Sequence, residues 1–295
     1  RAAYYEGWAA IDAHRFDAAE KIFADLKTAT DGRFPKSDLP LVDAALGYSR
    51  KAAGDGPGAE AAFGAALAAD PKCGLALKGL GLLRIEARSY GSAAERLRPL
   101  TEDPAYAGDY EVHAALGIAE LGVDRLDQAE AALLAALKLK ADHAPAFEAL
   151  GWVEKRRNKN VESRLYFERA IALDPVKSDT PDLRDAMKNV REFHKLYAPF
   201  GWAWLRIGKN DKAEADFRDA VRLDPREPET PRGLGLARLR LGDVKEAGEL
   251  FTKYFGRAAS KENPWGVLSA TASEWGWGLY FAGKFGEAEA VFQKL

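Results

Sequence analysis

Small and apolar residues recur along this chain at fixed intervals, with polar residues filling the remaining positions at helical spacing. From Gly201, Ala213 follows at twelve residues, Phe217 at sixteen and Ala220 at nineteen, and Asp224-Pro225 closes the unit. The same intervals recur from Gly47 (Ala59, Phe63, Ala66, Pro71) and from Gly151 (Ser163, Phe167, Ala170, Pro175), and more weakly from Gly117 (Ala129, Leu133, Ala136). Further copies begin at Gly7, Gly81, Gly235 and Gly276, about eight in all. Successive motif glycines lie 40, 34, 36, 34, 50, 34 and 41 residues apart. A period of this length marks a repeat architecture.

Each copy predicts two helices joined by a turn. Helices that pack with axes about 8–10 Å apart tolerate only small side chains at their crossing, which Gly201 and Ala213 supply. Phe217 then fills the space between one hairpin and the next, and Pro225 cannot continue a helix, so it ends the second one. A lone hairpin has nothing against which to bury its apolar face; stacked hairpins share one elongated core.

The pattern resembles the tetratricopeptide repeat (TPR) family, a 34-residue helix-turn-helix with small residues, an aromatic and a proline at set places. The resemblance covers essentially the whole chain. It implies an all-α fold, a right-handed α-solenoid (superhelix) forming a single domain over residues 1–295. The repeats are expected at about 1–34, 40–73, 74–107, 110–143, 144–177, 194–227, 228–261 and 269–295, with an insert at 178–193 that adds a helix before the sixth.

The three largest departures from 34 residues have readable causes. Residues 31–38 read as a loop. After Pro175, Thr180-Pro181 reads as an N-cap and first helical residue, and Leu183, Met187, Val190, His194 and Tyr197 mark one face of an extra helix. Pro199 is expected to kink or break that helix before Gly201. Asn263-Pro264 starts an unusually long first helix reaching about Ala282. Neither end carries a recognisable polar capping helix, so the chain is expected to be a piece of a longer protein, or to self-associate through uncapped ends.

In TPR proteins the first helix of each pair lines a concave face where peptide or protein partners lie. The position just after each motif glycine is held by Trp8, Tyr48, Leu82, Ile118, Trp152, Trp202, Leu236 and Trp277. Four and five residues after the glycines the same face adds Lys51, Lys155, Arg156, Arg206, Arg240 and Tyr280, and three residues before them it adds Tyr4, Lys78 and Arg232. Aromatic rings supply contact area at low entropic cost, and arginines grip carboxylates in forked pairs. A protein or peptide partner, of acidic character, is therefore the expected ligand of this groove. Trp204, Trp265 and Trp275 read as structural. The asparagine with which some TPR co-chaperones clamp a chaperone's C-terminal carboxylate is missing from every copy. TPR solenoids of bacterial polysaccharide export are also similar, and there the same tryptophans would serve as platforms for sugar rings.

Composition narrows the choice of chemistry. The 43 basic and 45 acidic residues leave a net charge of −2 and a pI near 6.2, without the basic footprint of a nucleic-acid binder. No run of 18 or more apolar residues occurs to span a membrane. Cys73 is the only cysteine, so no intrachain disulfide forms and the compartment, cytoplasmic or periplasmic, stays open. His14, His113, His143 and His194 are scattered without metal-ligand spacing, and Cys73 has no evident base. The glycines of Gly79-Leu80-Gly81 and Gly233-Leu234-Gly235 sit at helix crossings with no strand before them, unlike a nucleotide loop. The expectation is a non-catalytic scaffold with no cofactor and no metal.

Overall fold

The computed structural model describes residues 2–28, 35–227, 229–258, 264–281 and 283–293. The expectations for residues 31–34, Asn263 and Ala282 lie outside these, as does the side chain of Trp265. All regular structure among the described residues is helical. Its contacts divide into two units, Arg1–Val153 and Glu154–Leu295.

The first unit contains the pairs α1 (Ala2–Asp12) and α2 (Phe16–Thr28), α3 (Leu39–Ala52) and α4 (Gly56–Ala69), α5 (Gly74–Glu86) and α6 (Tyr90–Glu102), and α7 (Tyr110–Gly122) and α8 (Leu126–Leu139). Each second helix of the first three pairs packs on the first helix of the next, and successive first helices also touch. Helix α9 (Ala144–Arg156) spans the boundary between the units, and α10 (Asn160–Leu173) follows it. The second unit continues with the short helix α11 (Pro175–Ser178), α12 (Pro181–Asn189), and the pairs α13 (Tyr197–Arg206) and α14 (Asn210–Leu223), α15 (Glu229–Arg240) and α16 (Val244–Ala258), and α17 (Pro264–Phe281) and α18 (Phe285–Phe292). These pairs stack in the same manner.

The sixteen-residue interval is the packing rule of the fold. A Cβ on Gly47 would lie 2.6 Å from the Phe63 ring, one on Gly117 2.5 Å from Leu133, and one on Gly201 2.8 Å from Phe217. The next hairpin closes the other side: a Cβ on Gly79 would meet Phe63 at 2.3 Å, and one on Gly233 would meet Phe217 at 2.3 Å. Phe23, Phe63, Phe167, Phe217 and Phe251 are fully buried.

The turns obey a second rule. Seven residues after each motif glycine the backbone enters the left-handed region, at His14, Gly54, Arg88, Asp124, Asn158, Gly208, Gly242 and Gly283. A left-handed residue ends a helix by letting the chain fold back onto it. Half of these positions hold residues other than glycine.

The insert differs from its expected form. Thr180 caps α12 as expected, its Oγ1 accepting from the Leu183 amide at 3.3 Å, and Leu183 and Met187 are buried. The helix stops at Asn189, however, because Val190 is extended (φ −110°, ψ 112°), and a 3-10 helix follows over Arg191–Leu196. A 3-10 helix repeats every three residues, so Val190, Phe193 and Leu196 share its inner side. Phe193 and Leu196 are fully buried while His194 is half-exposed. Pro199 breaks nothing: it is the third residue of α13, where a missing N–H loses no helical bond.

Candidate partner-binding surface

The residues of the expected groove lie on the first helices, and each unit presents its own set. In the first unit Tyr4 and Trp8 pack edge-on at 6.3 Å, and Trp8 leans on Tyr48 of α3 at 5.5 Å. Both Tyr4 and Trp8 also meet the buried Phe23 edge-on, and Tyr48 meets Phe63 at 5.2 Å. These rings are half-buried walls of the core. The Tyr48 hydroxyl is enclosed without a hydrogen-bond partner among the described residues, and burial raises its pKa far above the ordinary tyrosine value. Lys51 ion-pairs with Glu86 of α5 at 2.6 Å. Lys78 bridges Asp109 at 2.7 Å and Glu111 at 2.8 Å; burial opposes its charge, but the bonds to the two carboxylates prevail and raise its pKa. On α9, Trp152 and Lys155 are half-buried and Arg156 is exposed, each with contacts in its own chain.

In the second unit Trp202 is half-buried with its edge on Phe217 at 5.0 Å. The Arg232 guanidinium lies over the Trp202 ring at 5.0 Å, a cation–π contact, and ion-pairs with Glu229 at 3.0 Å and Glu274 at 4.0 Å. Arg240 donates to the Leu205 carbonyl at 2.7 Å, and Arg206 donates to the Ala172 carbonyl. Among the expected groove aromatics, Trp277 and Tyr280 are the two that stand out into solvent, 51% and 47% exposed. Leu236, Leu239, Arg240, Glu274 and Trp277 line an open cavity of about 620 Å³ between α15 and α17. Three successive first helices thus carry a connected strip, from Trp202 through Arg232 and Glu274 to Trp277 and Tyr280. Of the tryptophans read as structural, Trp204 is buried and Trp275 packs on Phe251 at 5.2 Å.

Most of the basic groove residues are therefore engaged by their own chain, tying one hairpin to the next. A further set of such ties escaped the sequence reading. The third residue after a motif glycine pairs with the thirteenth after the preceding one: Arg50 with Glu20 at 2.8 Å, Arg84 with Glu60, and Arg238 with Glu214 at 2.7 Å. The charges alternate in sign at two fixed offsets, which is the sequence signal that could have revealed them. Phe285, 61% exposed beside Tyr280 at 5.2 Å, also belongs with the surface aromatics.

Where the sixth repeat's counterpart of Arg50 would lie stands Trp204, and a denser cluster replaces the pair. Arg184 of α12 grips Asp216 with both terminal nitrogens and Asp179 through Nε at 2.7 Å. Trp204 Nε1 donates to Asp216 at 3.0 Å, and Lys212 reaches Asp179 at 2.6 Å. Burial pushes the Asp179 pKa up, but the bonds from Lys212 and Arg184 outweigh it and hold the carboxyl below its ordinary range. No group of three or more potential metal ligands occurs among the described residues. No helix among them is long and apolar enough to cross a membrane.

The sequence model of the tetratricopeptide repeat matches residues 44–107, 114–177 and 200–263, and the chain belongs to the tetratricopeptide-repeat family. Similar solved structures include MamA of Desulfovibrio magneticus RS-1, 19% identical over 60% of this chain and 96% of that one, with a TM-score of 0.47. MamA of MSR-1 is 20% identical over 59% and 96%, with a TM-score of 0.47. TTC0263, a thermophilic TPR protein of Thermus thermophilus, is 20% identical over 68% and 99%, with a TM-score of 0.42. No curated protein matches the chain.

Proposed function

We propose that this chain is a non-catalytic scaffold that captures a segment of a partner protein on the exposed face of its first helices. The tetratricopeptide fold is in general a protein-interaction scaffold. The observation that carries the finer reading is the strip of the second unit, where Trp202, Arg232, Glu274, Trp277 and Tyr280 run across α13, α15 and α17. Large amphipathic rings flanked by charges are the composition of interaction hot spots. An extended or helical segment laid across three parallel rows would meet a ring or a charge at each. Because Lys51, Lys78, Arg206 and Arg240 already satisfy groups of the chain, the proposal rests on the aromatic strip and not on an acidic partner.

The test is a pull-down from lysate of the source organism, comparing the parent with a Trp202→Ala, Trp277→Ala variant whose circular dichroism shows it folded. Proteins retained by the parent and lost from the variant support capture on this face. Equal retention by both would place binding elsewhere on the molecule and overturn the reading. Retention of polysaccharide and of no protein would replace it with the sugar-platform reading.

A further inference from the structure

Beside the insert a cavity of about 810 Å³ opens to solvent, lined by two separate stretches of chain. The 3-10 helix supplies Arg191, Glu192, His194 and Lys195, while the end of α14 and the connection to α15 supply Asp224 and Glu227. The two sides carry opposite charge. Glu192 is already neutralised by Arg164 at 2.7 Å and Lys195 at 3.1 Å, which leaves its side basic at Arg191. On the other side the Asp224 carboxylate accepts from the Arg226 amide at 3.2 Å, and that of Glu227 meets the Glu229 amide at 3.5 Å. Among the described residues no ion pair holds Arg191, Asp224 or Glu227. Elsewhere at this junction opposite charges close on each other, as Arg184 does on Asp216 at 2.9 Å and Lys212 on Asp179 at 2.6 Å. Here each side is anchored away from the other, the 3-10 helix by the fully buried Phe193 and Leu196, and the α14 side by Ala220 and Thr230, 6% and 1% exposed.

We infer that this cavity binds an extended stretch of a partner polypeptide in which an acidic residue adjoins a basic one. Successive side chains of an extended chain point to opposite faces. A segment lying between the two sides therefore turns its carboxylate toward Arg191 and its ammonium or guanidinium toward Asp224 and Glu227. A purely anionic ligand would meet two unpaired carboxylates, and a purely cationic one the Arg191 guanidinium; a ligand of both signs suits both sides. The charges are held in place before the ligand arrives, so binding spends little on ordering them. The volume falls in the range of ligand sites, roughly 300–1,000 Å³.

None of these residues belongs to the aromatic strip, so the assignment stands or falls apart from the pull-down above. Three blocked dipeptides, acetyl-Glu-Lys amide, acetyl-Gln-Lys amide and acetyl-Glu-norleucine amide, and the small zwitterion γ-aminobutyrate are titrated against the whole chain at low salt. The readout is the imidazole C–H resonance of His194, a lining residue, assigned by its loss in His194→Gln. The Glu-Lys peptide should bind about two- to fivefold more tightly than either singly charged peptide, and its advantage should shrink as salt rises. Arg191→Gln should erase the advantage over the Gln-Lys peptide, and Glu227→Gln should reduce the advantage over the Glu-norleucine peptide. Both positions are exposed, so neither change removes a core contact. Equal binding of the three peptides, no shift with any of them, or unchanged preference in either variant would each overturn the assignment. So would γ-aminobutyrate binding as tightly as the Glu-Lys peptide, since the cavity would then be a site for a free zwitterion.

Discussion

Phe63 and Phe217 occupy the same place in two hairpins of this chain, yet the two hairpins are held to what precedes them by different chemistry. Phe63 lies between Gly47 and Gly79, and Phe217 between Gly201 and Gly233. Before the first of these hairpins stands α2, joined to α3 by the surface pair Arg50–Glu20 and by Ser49 donating to the Phe16 carbonyl at 3.1 Å. Before the second stands the insert, joined to α13 and α14 by Arg184, Asp216, Asp179, Lys212 and Trp204, with Asp216 only 5% exposed. The interior of a hairpin follows the repeat. Its junction follows whatever element the chain supplies there, and a buried charge cluster can serve where an ordinary helix and a surface ion pair serve elsewhere.

The largest effect is expected where the hairpins agree. Phe217→Ala and Phe63→Ala each remove a fully buried ring and should each cost about 3–5 kcal/mol in chemical denaturation. A loss below about 1 kcal/mol for either would show that the glycine-flanked ring is not the core of its hairpin.

The junctions should then separate. Arg184→Ala leaves Asp216 buried with one Trp204 bond, and an uncompensated buried carboxylate should cost about 2–4 kcal/mol. Arg50→Ala breaks a partly exposed pair, where about 0.5 kcal/mol is expected. Similar losses from the two substitutions would erase the contrast. An Arg184→Met, Asp216→Leu double variant that regains most of the loss would sharpen it, since an apolar pair can replace a buried ionic one.

The insert also gives the second junction an acid-sensitive carboxylate, Asp179. Burial raises the pKa of its neighbour Asp216 despite the bonds from Arg184 and Trp204, and this acts in the opposite direction. The folded pKa of Asp179 is depressed, so its contribution is complete above the unfolded carboxylate value of about 3.9 and is lost as pH falls through the lower folded value. Glu192, held low against its own desolvation by Arg164 and Lys195, acts in the same direction. Asp179→Asn should therefore lower stability by about 1 kcal/mol near neutral pH and by progressively less in acid. A difference that persists unchanged at about pH 2 would mean that Asp179 acts through shape and not through charge.

How much of this was legible in the sequence follows the same division. The glycine and the ring sixteen residues later could be read directly, because a helix crossing and the space behind it admit few side chains. The insert was misread because Leu183, Met187, Val190, His194 and Tyr197 fit an α-helical face, and only the three-residue spacing of Val190, Phe193 and Leu196 betrays the change of helix type. The groove aromatics were placed on the right helices. Their exposure was not legible, since a position after a motif glycine holds Trp8 against Phe23 in one hairpin and leaves Trp277 half in water in another. The basic residues were harder to read: at fixed offsets they look like a surface awaiting a partner, while Lys51, Lys78, Arg206 and Arg240 already meet carboxylates and carbonyls of a neighbouring hairpin.

The smallest expected effect concerns the turns, which the sequence hid because glycine occupies only some of them. Gly54 and Gly208 take the left-handed conformation with φ of 85° and 74°, whereas Arg88 takes it with φ of 56°. A side chain with a Cβ is strained there by about 1–2 kcal/mol relative to the right-handed region, while glycine carries instead a greater freedom in the unfolded chain. The two terms oppose, and strain is the larger. Arg88→Gly should thus raise stability by about 0.5–1 kcal/mol, whereas Gly208→Ala should lower it by about 1 kcal/mol. Asn158→Gly should gain less than Arg88→Gly, because asparagine tolerates the left-handed region through local hydrogen bonding. Denaturation midpoints of the three variants at unchanged slope measure this directly. A loss of stability in Arg88→Gly would mean that the arginine side chain holds the α5/α6 turn by contacts that outweigh its backbone strain.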